Sequence, residues 1–221
     1  MTTPENPDSL SNLSGSLSAE YDQSRAAQRD RVIAELKQVI ERVPEQTEFT
    51  NSRRYKVWGP VMLLVALGML ALAFNMGKTG MIVAALFVTL VSAVVSWQHR
   101  NAGTHVFLRL TRRQLFVDTL DTPVDLAQVE EVAIKDEGLV TMQTLNLSDD
   151  AVLPDHRVAR LQFFGNQTMV IRKPRLQLRI LSAGLAVGGR KLDNEEALAL
   201  LAAYRDAAHA QRQLETLQAH G

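Results

Sequence analysis

The chain contains no cysteine, which excludes disulfides, thiolate metal ligands and a cysteine nucleophile together. Charge of neither sign is in excess, because 24 Lys and Arg balance 24 Asp and Glu over 221 residues. No global field draws such a chain to a polyanion, so nucleic acid is not an expected partner and any binding surface must be a local patch. Aromatic residues are sparse at 5%, with 2 tryptophans among them. The sequence also lacks a glycine-rich phosphate loop, an HExxH pair and a nucleophile elbow. A non-enzymatic protein without a cofactor is therefore the expectation.

What is present is one concentrated block of apolar residues. Val57 to Phe74 reads VWGPVMLLVALGMLALAF and Thr79 to Trp97 reads TGMIVAALFVTLVSAVVSW, both without a charge. At about 1.5 Å per residue each run approaches the roughly 30 Å hydrocarbon core of a bilayer. The four residues Asn75 to Lys78 between them make a tight turn, so residues 57–98 are expected to form a transmembrane hairpin with spans 57–74 and 79–97. Trp58 and Trp97 then lie at one face of the bilayer as interface anchors. Gly59, Gly68 and Ala71 in the first span, with Ala84, Ala85, Ser92 and Ala93 in the second, are the small residues expected at the helix contact. Arg53, Arg54 and Lys56 precede the hairpin and Arg100, Arg109, Arg112 and Arg113 follow it, whereas only Lys78 lies in the turn. The positive-inside bias puts both termini in the cytoplasm. Neither span carries an ionisable residue, which disfavours a transporter and reads as an anchor.

Residues 1–18 are rich in Ser, Asn, Pro and Thr and are expected to be disordered. From 19 to 43, Val32, Leu36, Val39 and Val43 recur at helical spacing, with Ile33 and Ile40 widening the stripe, and Pro44 stops the helix. This amphipathic helix is expected to pack on its own cytoplasmic domain or to self-associate as a short coiled coil, with a partner-binding or membrane-surface helix as the alternative; its polar face carries both charge signs, unlike a basic membrane-surface helix. After Arg100 the period falls towards two. HVFLRL, QLFVDTL, VEEVAIK, LVTMQTLNL, VARLQFFG, QTMVIRK and RLQLRIL read as seven antiparallel strands. A final helix begins with Asp193 as its cap and Glu196 three residues on; Leu198, Leu201, Tyr204 and Ala208 form its apolar stripe. Beyond Ala210 its end is expected to protrude or to pair with another chain.

The segment FLRLTRRQLFVDTLDTPVDLAQVEEVAI, from Phe107 to Ile134, and more loosely EEALALLAAYRDA, resemble the bacterial pleckstrin-homology-like domain proteins that follow membrane hairpins. The resemblance covers roughly 105 to 210. It implies an α+β cytoplasmic domain over 104–218, a seven-stranded antiparallel barrel capped by a C-terminal helix, used to bind a protein partner or lipid head groups at a bacterial inner membrane.

Candidate site residues follow from charge. Between His99 and Leu192 basic residues exceed acidic ones by 3, and Arg109, Arg112, Arg113, Arg172, Lys173, Arg175 and Arg179 form the candidate basic face against anionic phospholipid. Asp149, Asp150, Asp155 and His156 are the nearest approach to a metal set, although a polar loop carries such residues by default. His99, His105, His209 and His220 are scattered, and Gly184, Gly188 and Gly189 read as turn residues. Homo-oligomerisation and an immunity or accessory role for a secreted toxin are the alternatives that two spans and a compact cytoplasmic domain leave open.

Overall fold

The computed structural model describes residues 7–138, 140–152, 154–155 and 167–219. In chain order the elements are α1 (Pro7–Glu41), β1 (Gln46–Asn51), α2 (Arg54–Met76), α3 (Thr79–Gln98), β2 (Val106–Thr111), β3 (Gln114–Val117), β4 (Val124–Asp125), β5 (Val129–Asp136), β6 (Thr141–Leu147), β7 (Gln167–Ile171), β8 (Gln177–Ser182), β9 (Leu185–Val187), β10 (Arg190–Lys191) and α4 (Asn194–Ala219). The strands form two antiparallel sheets, one of six in the order β10-β9-β1-β2-β3-β4 and one of four in the order β5-β6-β8-β7. The expected barrel of seven strands is thus two sheets of shorter pieces, and the strand expected at VARLQFFG lies outside the described residues.

One shared core holds the sheets together. Leu108, Leu110 and Leu115 from the larger sheet meet Leu145, Leu178 and Ile180 from the smaller, all buried. The alternation read in Leu176, Leu178 and Ile180 is realised in β8, whose even-numbered side chains are buried. At the hairpin joining β9 to β10, Gly188 and Gly189 hold φ of 58° and 83°, a left-handed pair that only glycine adopts without strain.

Two expectations about the region before the apolar hairpin are corrected. Helix α1 starts at Pro7 and not at 19, so residues 7–18 are helical where disorder is expected. The fixed φ of proline suits a first helical position, and a single glycine weakens a helix without ending it. The soluble domain also begins before the hairpin and not at 104. QTEFTN, which falls outside every expected element, is β1, and it sits in the middle of the larger sheet between β9 and β2. Thr47 and Phe49 point inward, Phe49 with no exposed surface, while Gln46 and Glu48 point out. The hairpin is therefore an insertion between two neighbouring strands.

Helix α4 ties both parts of the domain together. Asp193 and Glu196 make the expected capping box, with Glu196 N donating to Asp193 Oδ1 at 2.7 Å and Asp193 N to Glu196 Oε2 at 3.1 Å. The buried Tyr204 hydroxyl lies 2.7 Å from Thr47 Oγ1 and donates to Pro44 O at 3.1 Å. Further along, His209 Nε2 donates to Val129 O at 2.9 Å, seating α4 on the start of β5. Ala197, Leu201, Tyr204 and Ala208 are buried, whereas Leu198 stays exposed. Beyond Ala210 the end of α4 lies along α1. Helix α1 runs antiparallel along it: Pro44, just past α1, meets Tyr204, and the Arg29 guanidinium donates to Leu217 O at 2.8 Å. The later part of the amphipathic segment, from Arg29 on, thus lies along the last helix of its own domain.

Candidate binding surfaces and the hairpin root

Helices α2 and α3 are each long and apolar enough to cross a membrane, and only 17% and 6% of their most apolar stretches are buried within the chain. They pack on each other along seams of four-three spacing: Gly59, Leu63, Ala66, Leu70 and Ala73 on α2, and Ile82, Ala85, Thr89, Ser92 and Ser96 on α3. A Cβ on Gly59 would stand 3.1 Å from Ser96 Cα, so that glycine sets the approach. Thr89 Oγ1 donates to Ala85 O at 2.8 Å within its own helix. Gly68, expected at this contact, faces outward, and a Cβ added there would meet nothing within 4 Å. The exposed Ala71 and Ala84 likewise lie off the seam. Gly77 closes the turn with φ of 63°, its N–H donating to Phe74 O.

Both ends of this hairpin return to the same point on the domain. Ser52, buried, donates through its backbone N–H to Gly184 O at 3.0 Å and through Oγ to Ala183 O at 2.6 Å. Arg54 Nη1 donates to Gly138 O at 2.9 Å, and Ala183 N to Asn51 Oδ1 at 3.2 Å. Gly103 has φ of 86° and lies where a Cβ would strike the Arg53 side chain, so the returning chain packs directly on the departing one. Trp58 and Trp97 are both exposed at this root, and the Arg100 guanidinium stands 4.9 Å from the Trp97 ring centroid.

The structure divides the candidate basic face into three groups. The first holds Arg109, Arg112 and Arg113, expected beside the bilayer because they follow the second span closely. Strand β2 instead carries the chain away from the root: Val106 pairs with Thr50, but Thr111 pairs with Gln46. That length of strand covers roughly 17 Å. Arg109 bridges to Glu48 at 3.2 Å, Arg113 to Glu215 at 2.8 Å, and Arg112 donates to Val43 O at the end of α1 at 3.1 Å. These three are engaged within the fold.

The second group, Arg172, Lys173 and Arg175, lies exposed in the turn from β7 to β8. That turn is also at the end far from the root, because β8 runs from Gln177 opposite Asn146 to Ser182 beside the root. The third is Arg179, in the middle of the outer face of the smaller sheet, which donates to Gln177 Oε1 at 3.2 Å.

The remaining candidates do not converge. Asp149 and Asp150 are exposed, and a hydrogen bond from the Ser148 side chain holds the Asp150 carboxyl below its ordinary range. Asp155 O accepts from Asp121 N at 2.9 Å, and His156 lies outside the described residues. His99 is buried at the end of α3, His105 pairs with Asp118 at 2.8 Å, and His220 lies outside the described residues. An open groove of ≈ 370 Å³ runs beside β2 and β3, lined by Val106, Arg109, Phe116, Asp118 and Pro123 among others.

Comparison with protein-family models, with curated proteins and with solved structures gives no match.

Proposed function

We propose that the chain is a non-enzymatic protein of a bacterial inner membrane, spanning the bilayer twice with both termini in the cytoplasm, whose pleckstrin-homology-like module binds a protein partner. The membrane placement is supported by a hairpin whose apolar side chains remain exposed within the chain, among them Leu64, Leu72, Val83, Phe87 and Leu90. Such a surface in water exceeds anything a soluble monomer tolerates, and lipid tails satisfy it. Arg53, Arg54, Lys56 and Arg100 at the root, against Lys78 in the turn, support the orientation. Two antiparallel sheets around one core, with a C-terminal helix across the start of β5, support the pleckstrin-homology-like reading.

The observation that carries the function is the separation of the exposed basic turn from the hairpin root. Arg172, Lys173 and Arg175 form no ion pair with any described residue and lie at the opposite end of β8 from Ser182. Roughly 17 Å of strand, at about 3.3 Å per residue, separates them from the root, beyond a Debye length at physiological salt. A turn so placed reads a partner in the cytoplasm and not the head groups of its own leaflet.

The test is affinity capture of the full-length protein from crosslinked membranes, comparing wild type with Arg172→Gln, Lys173→Gln, Arg175→Gln. The triple variant should stay in the membrane pellet after alkaline carbonate washing yet lose its most abundant crosslinked protein. Unchanged capture would remove the basic turn from the binding reading, and release of the wild type by carbonate would remove the membrane placement.

A further inference from the structure

No carboxylate lies between Glu48 and Asp118 in the sequence, so the collar flanking the two apolar helices carries Arg53, Arg54, Lys56 and Arg100 with no acid of its own. These four cations differ in what holds them. Arg54 donates to Gly138 O at 2.9 Å, and the stem of Arg53 lies against Gly103, so both are turned to the domain. Lys56 and Arg100 are exposed and form no ion pair with any described residue. The root end of the domain does carry Asp118, Asp136, Glu137 and Asp193, but each already accepts from a neighbour. Asp136 Oδ1 accepts from Gly138 N at 2.8 Å, Glu137 pairs with Lys135 at 3.2 Å, Asp193 caps α4 and Asp118 pairs with His105. Lys191 is a further exposed cation at this end, packed beside Gly184.

The helix seam sets Lys56 and Arg100 at one level. Gly59 meets Ser96, and the same spacing continues one turn towards the domain to Lys56 on α2 and His99 on α3. His99 is buried, as a seam position is, and Arg100 follows it. The Trp97 ring, 4.9 Å from the Arg100 guanidinium, covers one face of that cation and leaves its edge N–H groups to other acceptors. Two cations at one level with no carboxylate between them repel, and an anion shared by both relieves the repulsion.

The neighbouring surface says which anion. Val57, Trp58 and Trp97 are exposed directly beside the pair and continue into the apolar surface of the hairpin. A soluble phosphate gains nothing from that surface, whereas a phospholipid meets the cations with its phosphate and the apolar side chains with its tails. A zwitterionic head group brings a cation of its own to the same place and is disfavoured.

We infer that Lys56 and Arg100 form a head-group site for an anionic phospholipid, its phosphate shared by the ammonium and the guanidinium and its tails along Val57, Trp58 and Trp97. The site rests on the membrane placement proposed above. It is separate from Arg172, Lys173 and Arg175, whose turn lies at the far end of β8.

Trp58 and Trp97 are the 2 tryptophans of the chain and both flank the site, so their fluorescence reports its occupant. The full-length protein is reconstituted in phosphatidylcholine vesicles, and quenching by phosphatidylglycerol with brominated chains is compared with quenching by brominated phosphatidylcholine. Wild type should prefer the anionic lipid. The preference should fall about fivefold for Lys56→Gln and about fivefold again when Arg100→Gln is added. Lys56→Arg should retain it, and Lys78→Gln, at the other end of the hairpin, should leave it unchanged. Equal quenching by brominated phosphatidylcholine in every variant shows that each inserts alike, which separates lost lipid binding from lost fold. A wild type that does not distinguish the two lipids, or a double variant that keeps the full preference, would overturn the site and leave the membrane placement standing. Preference abolished by inorganic phosphate at constant ionic strength would assign the pair to the free anion, and preference lost only in Arg172→Gln, Lys173→Gln, Arg175→Gln would assign lipid to the far turn; either overturns the site. No quenching by either brominated lipid would overturn the site and the membrane placement together.

Discussion

If β1 is a central strand, the segment after the hairpin is not a domain by itself, and two chains separate these possibilities. In one, residues 53–103 are replaced by Asn-Gly, joining Ser52 to Thr104; in the other, the chain is cut to 104–221. Thr50 and Val106 are direct partners, so the strand ends flanking the excised hairpin are already neighbours and a two-residue turn spans them. The shorter fragment loses Phe49, which is fully buried, the Thr47 hydroxyl contact to Tyr204 at 2.7 Å, and both ladders of β1. Removing a buried phenylalanine side chain alone costs about 3–5 kcal/mol. Loss of the hydroxyl bond adds about 1 kcal/mol, against a total stability of roughly 5–15 kcal/mol for a domain. The hairpin-less chain should therefore melt cooperatively by circular dichroism, and the 104–221 fragment should show no transition. Within the hairpin-less chain, Phe49→Ala should lower the melting temperature by roughly 10 °C, at about 2–4 °C per kcal/mol for a domain of this size. Equal melting of the two chains, or a shift under about 2 °C for Phe49→Ala, would refute the central position of β1.

Other consequences are open to direct measurement. Cysteines placed at Gly59 and Ser96 in a chain otherwise free of them should form a disulfide on mild oxidation, whereas a pair at Gly68 and Ser96 should not. Asp193→Ala removes the acceptor for Glu196 N and should cost about 1 kcal/mol in denaturant melts; an unchanged midpoint would mean that the capping box contributes nothing. Burial raises the Tyr204 pKa, against the opposing bond with Thr47. Stability from the neutral phenol is thus complete below the ordinary tyrosine value near 10 and is lost as pH rises through the higher folded value. An alkaline ultraviolet titration should show one tyrosine ionising late and together with unfolding, and Tyr204→Phe should abolish that late step.

The parts of the fold legible in the sequence are those that depend on local pattern. Two uncharged runs of spanning length need no tertiary information, and Asp193 with Glu196 specifies its cap within four residues. Strand β1 is hard to see because its partner β2 begins 55 residues after Asn51, and six residues with only Phe49 strongly apolar give little period-two signal. Its outward Glu48 and inward Thr47 and Phe49 are nevertheless readable after the stop at Pro44. The hairpin contact eludes a search for small residues by type, since Gly68 and Ala71 point away; the seven-residue spacing of Gly59, Ala66 and Ala73 is what marks the buried face. For the basic face, closeness along the chain to a span is no guide to closeness in space, because β2 leaves the root at once. Arg179 can be named from composition, but its place between Thr144 and Met169 on the outer face of the smaller sheet requires the register.

Because the two apolar helices interrupt a sheet between adjacent strands, β1 leaves the ribosome long before the neighbour it needs. On the membrane reading, β2 can reach β1 only if the polypeptide has crossed the bilayer and come back. A product that threads only once strands the halves of the sheet in different compartments, and its core never forms. On that same reading, folding of the soluble part would separate copies threaded once from copies whose chain has returned, because only the latter bring β1 and β2 to one side.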